Sequence, residues 1–301
     1  MRDVSAKNDS LRTATARAVL TASPRTIEAI REGRAPKGDP IPVARVAAIQ
    51  AAKNTPQLIP YCHSVPLDYV RVEFDIAADS ITVTTEVKAV YKTGVEMEAL
   101  TAAAAAVLNL YDMLKFIDDE MEIRSVTLLE KTGGKSNVAA VDPFRAAVIV
   151  ISDSAAAGTR ADRSGIILRE GLIENGGEVG DVVIVPDDIE PIRRAVLDAC
   201  DAGVDFVFTT GGTGLGPRDV TPEAVATLIE RPSPGIEDQL RAYGGRRTPY
   251  AMMSRLCAGT RGATLIVSLP GAPAAVRDAL SALFPYIGHA PHVIRGGGHG
   301  D

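Results

Sequence analysis

The chain has 301 residues, 46% of them hydrophobic and none of them Trp, with a formal net charge of −6. That length admits two compact domains or one large one, and the composition is globular. The acidic balance argues against generic nucleic-acid binding, which needs a basic field. It leaves room for a small polyphosphate held by a few Lys, Arg and backbone N–H groups.

No apolar run reaches membrane-spanning length, and the opening MRDVSAKNDSLRT lacks the apolar core of a signal peptide. Cys62, Cys200 and Cys257 are scattered, in neither a metal spacing nor a disulfide framework. A cytoplasmic protein with no membrane partner is expected.

In the first half, Lys37 lies in a Pro-Lys-Gly turn, and His63 sits beside Pro60 and Pro66, followed by a strand pair. VRVEFDI and ITVTTEV alternate apolar and polar residues around AADS, which predicts a hairpin with one buried face. A helix is predicted from about Glu96 through EALTAAAAAVLNLYDMLKFIDDEM, its Ala run suited to close packing on a sheet, with Asp118, Asp119 and Glu120 facing solvent. MEIRSVTLLEK reads as a further strand, and Lys131 and Lys135 bracket a Gly-Gly turn. Helices on one side of an antiparallel sheet, an α+β sandwich, follow from this order.

Each polar feature of this half has an ordinary explanation. Turn lysines are usually solvated, a lone His is more often structural than catalytic, and Glu96 and Glu98 at a helix entrance suit the helix dipole. One His and two Glu make no metal pattern. Together, several lysines and a His suit an anionic substrate whose chemistry needs proton transfers, since a lysine beside other lysines can titrate near neutrality. The residues alone point to a phosphorylated small-molecule lyase or isomerase.

Around NVAAVDPFR the pattern changes, and the boundary is placed near residues 141–143, giving domains 1–140 and 141–301. AAVIVIS is a continuous apolar run, typical of a strand covered on both faces. SGIILREGLIENGG, GDVVIVPDD, IEPIRRAVLDACDAG, VDFVFTTGG and ATLIVSLPGAP then alternate helix and strand. A three-layer, mostly parallel, doubly wound α/β domain is predicted. His299 is expected to be disordered in the GGGHGD tail.

The stretch TTGGTGLGPRDVTPEAV follows a predicted strand and ends in Thr221-Pro222-Glu223, read as a helix start with a Thr cap. It is neither a Walker loop nor the dinucleotide fingerprint. A glycine-rich turn needing positive φ is the plain reading; backbone N–H groups facing an anion is the functional one. Asp219 beside such a loop would repel an anion unless a divalent cation bridged them. Asp153 and Asp187 also follow predicted strands, where open α/β sheets collect ligands, so one crevice could hold all three. Taken singly, each is more often a helix cap.

VISDSAAAGTRADRSG, VPDD, TTGGTGLGPRDVTPEAV, PGIEDQLR, MSRLCAGTRGATLIVSLPGAP and HVIRGGGHG resemble the molybdopterin-binding family, which includes molybdopterin adenylyltransferases and the bacterial MoaB and MogA proteins. The likeness runs from about Phe144 to the end. It implies AMP transfer from Mg-ATP to the terminal phosphate of molybdopterin. Carried over by motif, Asp187 and Asp219 are the acidic positions where Mg²⁺ would sit. Thr210, Gly211, Gly212, Thr213 and Gly214 are the loop on the pterin phosphate, and Ser254 lines the substrate site.

DVSAK, APKGDPIPVARVAAIQAAKNTPQLIPYCH, TGVEMEALTA, LYDMLK and LLEKTGGKS resemble the cyclic pyranopterin monophosphate synthase family, MoaC. That likeness spans nearly the whole first half. It implies conversion of a 3′,8-cyclised dihydroguanosine triphosphate to cyclic pyranopterin monophosphate with release of pyrophosphate, without an implied cofactor. Lys37 and Lys115 match the catalytic lysines, and His63 and Asp112 further catalytic positions; Cys62, His63, Glu96, Met97, Glu98 and Lys131 match substrate-binding ones. The family is ferredoxin-like and hexameric, with sites at subunit interfaces, so a homo-oligomer, trimer or hexamer, is expected. Two departures stand out: Ser64 replaces a usual Pro after Cys62-His63, and the chain opens almost at DVSAK, short of a usual lead segment.

The combined expectation is a bifunctional enzyme of molybdenum cofactor biosynthesis. The alternative is a synthase fused to a non-catalytic molybdopterin-binding or oligomerisation module.

Overall fold

The computed structural model describes residues 1–134 and 142–298. The chain divides into two compact units, the first ending at Asn137 and the second starting at Val138. Lys135, His299 and the boundary expected at 140/141 lie outside the described residues. Among the described residues no helix is long and apolar enough to cross a membrane.

The first unit runs β1 (Ser10–Thr21), α1 (Pro24–Arg31), α2 (Pro40–Lys53), α3 (Thr55–Leu58), β2 (Tyr69–Ile76), β3 (Ser80–Tyr91), α4 (Glu96–Leu114) and β4 (Glu122–Thr132). Its strands form a four-stranded antiparallel sheet in the order β2-β3-β1-β4. The predicted hairpin is β2–β3, and MEIRSVTLLEK is β4. The central strand β1 was not predicted. Its inward positions Ala14, Ala16 and Ala18 are buried but small, so the alternation carries little hydrophobic contrast.

Those alanines let α4 lie close on the sheet. Ala99, Ala102, Ala103 and Ala106 are fully buried against it, with Val107, Leu110 and Leu114 filling the space beyond. Helices cover this face alone. The other carries a polar ladder in which Arg71 bridges Glu73 and Glu86, and Lys88 also reaches Glu86.

The helix stops at Leu114, short of the predicted end. Beyond it Asp118 is buried, not solvent-facing as expected. Its carboxylate accepts from the backbone N–H of Ser23 at 2.7 Å and of Glu120 at 3.0 Å, pinning the turn to the start of α1. Burial alone would raise its pKa; those hydrogen bonds outweigh it and hold the carboxyl below its ordinary value.

The second unit runs β5 (Phe144–Ile151), α5 (Asp153–Ala156), α6 (Ser164–Glu174), β6 (Gly177–Val179), β7 (Val183–Val185), α7 (Ile189–Asp201), β8 (Phe206–Thr210), α8 (Thr221–Ala226), β9 (Arg231–Pro232), α9 (Pro234–Gly245), β10 (Cys257–Arg261), β11 (Thr264–Leu269), α10 (Pro273–Leu283) and α11 (Ala290–Ile294). The sheet order is β6-β5-β8-β11-β10-β9, with β7 also on β5. Pairings from β6 and β7 through β11 are parallel, and β10 and β9 add an antiparallel edge that was not predicted.

Both faces are covered, which makes three layers. Phe144, Phe206, Phe208 and Val267 pack on α6, α9 and α10; Ile149, Ile151, Val207 and Ile266 face α7 and α8. At the N-terminal end of the strands the buried Asp205 accepts from the Arg145 backbone N–H at 2.8 Å and pairs with Arg295, just beyond α11.

Phe206 is fully buried, edge-on to Phe144 at 5.0 Å and stacked on Phe208 at 5.7 Å. Phe206→Ala is predicted to cost this unit about 3–5 kcal/mol of unfolding free energy, read from urea denaturation followed by circular dichroism. A loss below about 1 kcal/mol would mean the ring does not organise this face.

Candidate functional sites

In the first unit the predicted residues gather at the two ends of α4. Lys37 sits in the turn before α2, closed by a Gly38 N–H to Ala35 C=O bond of 3.1 Å, with Gly38 at φ 89°. Its ammonium donates to Asp112 Oδ2 at 2.6 Å, while Lys115 at the helix C-cap reaches Asp112 Oδ1 at 2.7 Å. Both ammonium groups also lie over the Phe116 ring, at 4.9 and 5.7 Å from its centroid. Hydrogen bonds from Lys115 and then Lys37 hold the Asp112 carboxyl down at about 2. Two cations share one carboxylate, which leaves net positive charge at a solvent-accessible spot suited to an anionic substrate.

At the other end, α4 starts without a side-chain cap. Glu96 pairs with Lys131 at 3.2 Å; Lys131 belongs to β4 rather than to a turn. Glu98 is 1% exposed, its Oε1 met by the Cys62 thiol at 3.5 Å and its Oε2 without a hydrogen-bond partner among the described residues. Burial raises the Glu98 pKa. Burial, then the Glu98 charge, pushes the Cys62 thiol up to about 11, so it is held as a thiol. His63 Nε2 is 2.8 Å from the Arg2 carbonyl, Met97 is exposed, and Ser64 faces solvent.

These two groups do not meet within one chain. From Glu98 to Asp112 the helix rises about 21 Å at ~1.5 Å per residue. Lys37, Asp112 and Lys115 form one cluster; Cys62, Glu96, Glu98 and Lys131 form the other.

In the second unit the carboxyl ends of β5, β7 and β8 converge, as expected for a parallel sheet. Asp153 and Asp187 exchange contacts: the Asp153 N–H donates to Asp187 Oδ2 at 3.0 Å, and the Asp187 N–H to Asp153 Oδ1 at 2.9 Å. Neither is a helix cap by side chain: Ser152 caps α5, accepting from Ala155 N–H at 3.3 Å. Arg218 pairs with Asp153 at 2.7 Å. A cavity of about 260 Å³ is lined by Ile151, Ser152, Asp187, Thr210, Gly212 and Asp219, among others.

The loop after β8 needs its glycines. Gly211 and Gly212 have φ of 110° and 60°, and a Cβ on Gly211 would lie 2.1 Å from the Ile151 carbonyl oxygen. Thr221 is not the cap predicted for α8; it is the first helical residue. Its hydroxyl donates to the Gly211 carbonyl at 2.9 Å and its N–H to the Gly212 carbonyl at 3.1 Å, folding the loop back on the helix start. The Thr210 hydroxyl is committed to the Pro270 carbonyl at 2.9 Å. Thr213 and Ser254 hydroxyls meet at 2.9 Å, and Ser254 lines a second, mainly apolar cavity of about 250 Å³ with Leu240, Tyr250, Leu256 and Ala279.

Burial raises the Asp187 pKa, aided by the Asp153 and Asp219 charges and opposed by Arg218. Among the described residues no three His, Cys, Asp or Glu side chains converge into a ready-made ion cage. Two carboxylates on one cavity nevertheless fit a hard divalent cation such as Mg²⁺, which takes one or two carboxylates and completes its shell with water and phosphate oxygens. Asp187 and Asp219 would hold it.

Comparison with known proteins decides the family. Residues 1–134 match the model of the MoaC family, and residues 147–289 that of the "Probable molybdopterin binding domain". The chain is 45% identical over 299 residues to the molybdenum cofactor biosynthesis bifunctional protein of Chlorobaculum tepidum, covering 99% of this chain and 96% of that one. The chain belongs to the family of bifunctional molybdenum cofactor biosynthesis proteins. It is an enzyme of that biosynthesis, with a MoaC-family unit followed by a MoaB/MogA-type unit. The first unit is also 51% identical over 138 residues to the cyclic pyranopterin monophosphate synthase of Syntrophomonas wolfei, covering 45% of this chain and 88% of that one. The molybdopterin biosynthesis enzyme MoaB of Thermus thermophilus is 41% identical, covering 51% of this chain and 97% of that structure, at a TM-score of 0.48.

Sequence reasoning missed Phe116 and Arg255 as parts of these sites, while Arg218 was weighed together with Asp219. Phe116 directly follows Lys115 and Arg255 directly follows Ser254, so adjacency was the available signal for both.

Because the folded-state pKa of Asp112 is depressed, its pairing adds stability that is complete above about pH 4 and is lost as pH falls through about 2. Lys115→Met is predicted to move the Asp112 midpoint back up toward the ordinary carboxylate range in a carbon-detected NMR titration. An unmoved midpoint would remove Lys115 as the cause.

Proposed function

We propose that the first unit is a cyclic pyranopterin monophosphate synthase and the second a molybdopterin adenylyltransferase using Mg-ATP. The observation that carries the second assignment is the convergence of Asp187, Asp219 and the positive-φ glycine loop on one cavity at the strand ends, with Asp153 off its lining but hydrogen-bonded to Asp187.

In the first unit, Lys37 and Lys115 are the groups that neutralise the triphosphate and move protons, with Asp112 keeping both side chains aimed. The β-α-β-β-α-β order with β1 and β3 at the centre supports the ferredoxin-like reading. The ~21 Å between the two ends of α4 exceeds what one small substrate bridges, so a whole site takes its lysine cluster from one copy and its Glu98 cluster from another. That supports the homo-oligomer, trimer or hexamer. Free, scattered cysteines fit a reducing cytoplasm.

Lys115→Ala is predicted to abolish pyrophosphate release from the cyclised nucleotide with the circular dichroism spectrum unchanged. Mixed oligomers of Lys115→Ala and Glu98→Ala should regain activity that neither variant has alone. Normal turnover by Lys115→Ala would refute the lysine assignment, and no recovery on mixing would refute the shared site.

In the second unit an oxygen of the molybdopterin phosphate attacks the α-phosphorus of ATP; that P–O bond forms, the bond to the β-phosphate bridging oxygen breaks, and pyrophosphate leaves. Such transfer needs positioning and charge neutralisation more than covalent help. The glycines let the backbone approach a phosphate closely, and Arg218 is placed to follow an incoming phosphate from its ion pair with Asp153. A bound divalent cation would supply neutralisation of the phosphate oxygens. The apolar cavity beside Ser254 suits a flat pterin ring.

With molybdopterin and Mg-ATP, the protein is expected to form adenylylated molybdopterin and pyrophosphate. Asp219→Asn should lose transfer while keeping pterin binding. Tight pterin binding without transfer by the unaltered protein would leave a binding module fused to a synthase.

A further inference from the structure

We infer that Arg255 is the positioning residue for Asp219, fixing the segment 214–219 so that the Asp219 carboxylate stays on the cavity. The guanidinium reaches both ends of that segment. Its Nε donates to the Gly214 carbonyl at 2.8 Å, and its Nη2 donates to the Asp219 carbonyl. Nη1 pairs with the Glu223 carboxylate in the first turn of α8, and the Arg255 backbone N–H donates to the Thr213 carbonyl at 2.8 Å. One planar fork therefore ties the loop's start, its end and the following helix together.

Apart from Arg255, the segment's tie to the rest of the unit is the exposed Arg218–Asp153 ion pair at 2.7 Å. Inside the segment, the Asp219 N–H donates to the Gly216 carbonyl at 3.0 Å, and the Gly216 N–H to Asp219 Oδ2 at 2.9 Å. The carboxylate lies on two glycines: a Cβ on Gly214 would come within 2.8 Å of Asp219 Oδ2, and one on Gly216 within 2.6 Å. These are contacts within the turn. They shape it but do not anchor it to the sheet, whereas Arg255 precedes β10 by one intervening residue and carries that anchorage. The Arg255 contact also holds the Glu223 carboxyl below its ordinary value, so the Glu223 arm of the fork stays charged. A lysine, with one compact ammonium, cannot meet two carbonyls and a carboxylate in a plane.

The catalytic consequence rests on the adenylyltransferase reading; the anchoring does not. The test is amide hydrogen exchange by mass spectrometry on the full chain, with adenylyl transfer and molybdopterin binding measured alongside, for Arg255→Met, Arg255→Lys and Glu223→Gln. In Arg255→Met, exchange across 214–220 should rise at least about tenfold while β8 and β11 stay protected. Transfer should fall about 10–100-fold with the pterin Kd changed by less than about twofold. Arg255→Lys should fall between Met and wild type, and Glu223→Gln, which keeps both carbonyl contacts, should lie closest to wild type. Unchanged exchange at 214–220 would overturn the inference, as would a rise spread over the whole unit or equal losses in transfer and pterin binding. If the unaltered protein transfers no adenylyl group, that reading fails, while the exchange data still decide the anchoring.

Discussion

The first unit depends on how closely one helix approaches one strand. Ala14, Ala16 and Ala18 on β1 and Ala99, Ala102, Ala103 and Ala106 on α4 remove the side-chain bulk that normally separates a helix from a sheet. Each Ala contributes little burial of its own, but together they fix the helix axis over the sheet, and Val107, Leu110 and Leu114 are then fully buried in the same core. The chemistry is hung on the ends of that rod. Its C-terminal end presents Asp112 and Lys115 to Lys37, and its N-terminal end carries Glu96 and Glu98. Rigidity of the rod is what keeps the two clusters apart.

The second unit solves a different problem, that of bringing carboxylates together. Repulsion among Asp153, Asp187 and Asp219 is partly met by Arg218 and by the reciprocal N–H contacts between Asp153 and Asp187. Burial first, and the remaining repulsion after it, raises the pKa of Asp187. A structure that holds acidic groups in this state is primed to gain from any cation-bound anion that enters.

Strands with strong contrast were legible in the sequence: β2, β3 and β4 through alternation, β5 and β8 as apolar runs. The strand β1 was hidden because its inward residues are alanines, and β9–β10 because the antiparallel edge is short and half-polar. Asp118 and Thr221 were misread for one reason: each spends its polar atoms on a backbone distant in sequence, which local rules for caps and surfaces do not see. The candidate residues carried over by motif were visible singly, but Lys37 and Asp112 are 75 residues apart in sequence, so their pairing is a property of the fold. The ~21 Å gap along α4 was equally invisible, because helix length says nothing about which residues share a ligand until the helix's ends are placed.

The strand β5 begins at Phe144, beside the Asp205–Arg145–Arg295 clasp, and ends at Ile151 on the cavity. Eight residues of extended chain separate the two, about 23 Å at ~3.3 Å per residue. The unit therefore has a back door and a front door: its chain enters and its last helix is fastened at the end of the sheet farthest from the ligand. The residues that fasten the chain entry are separate from those that line the cavity.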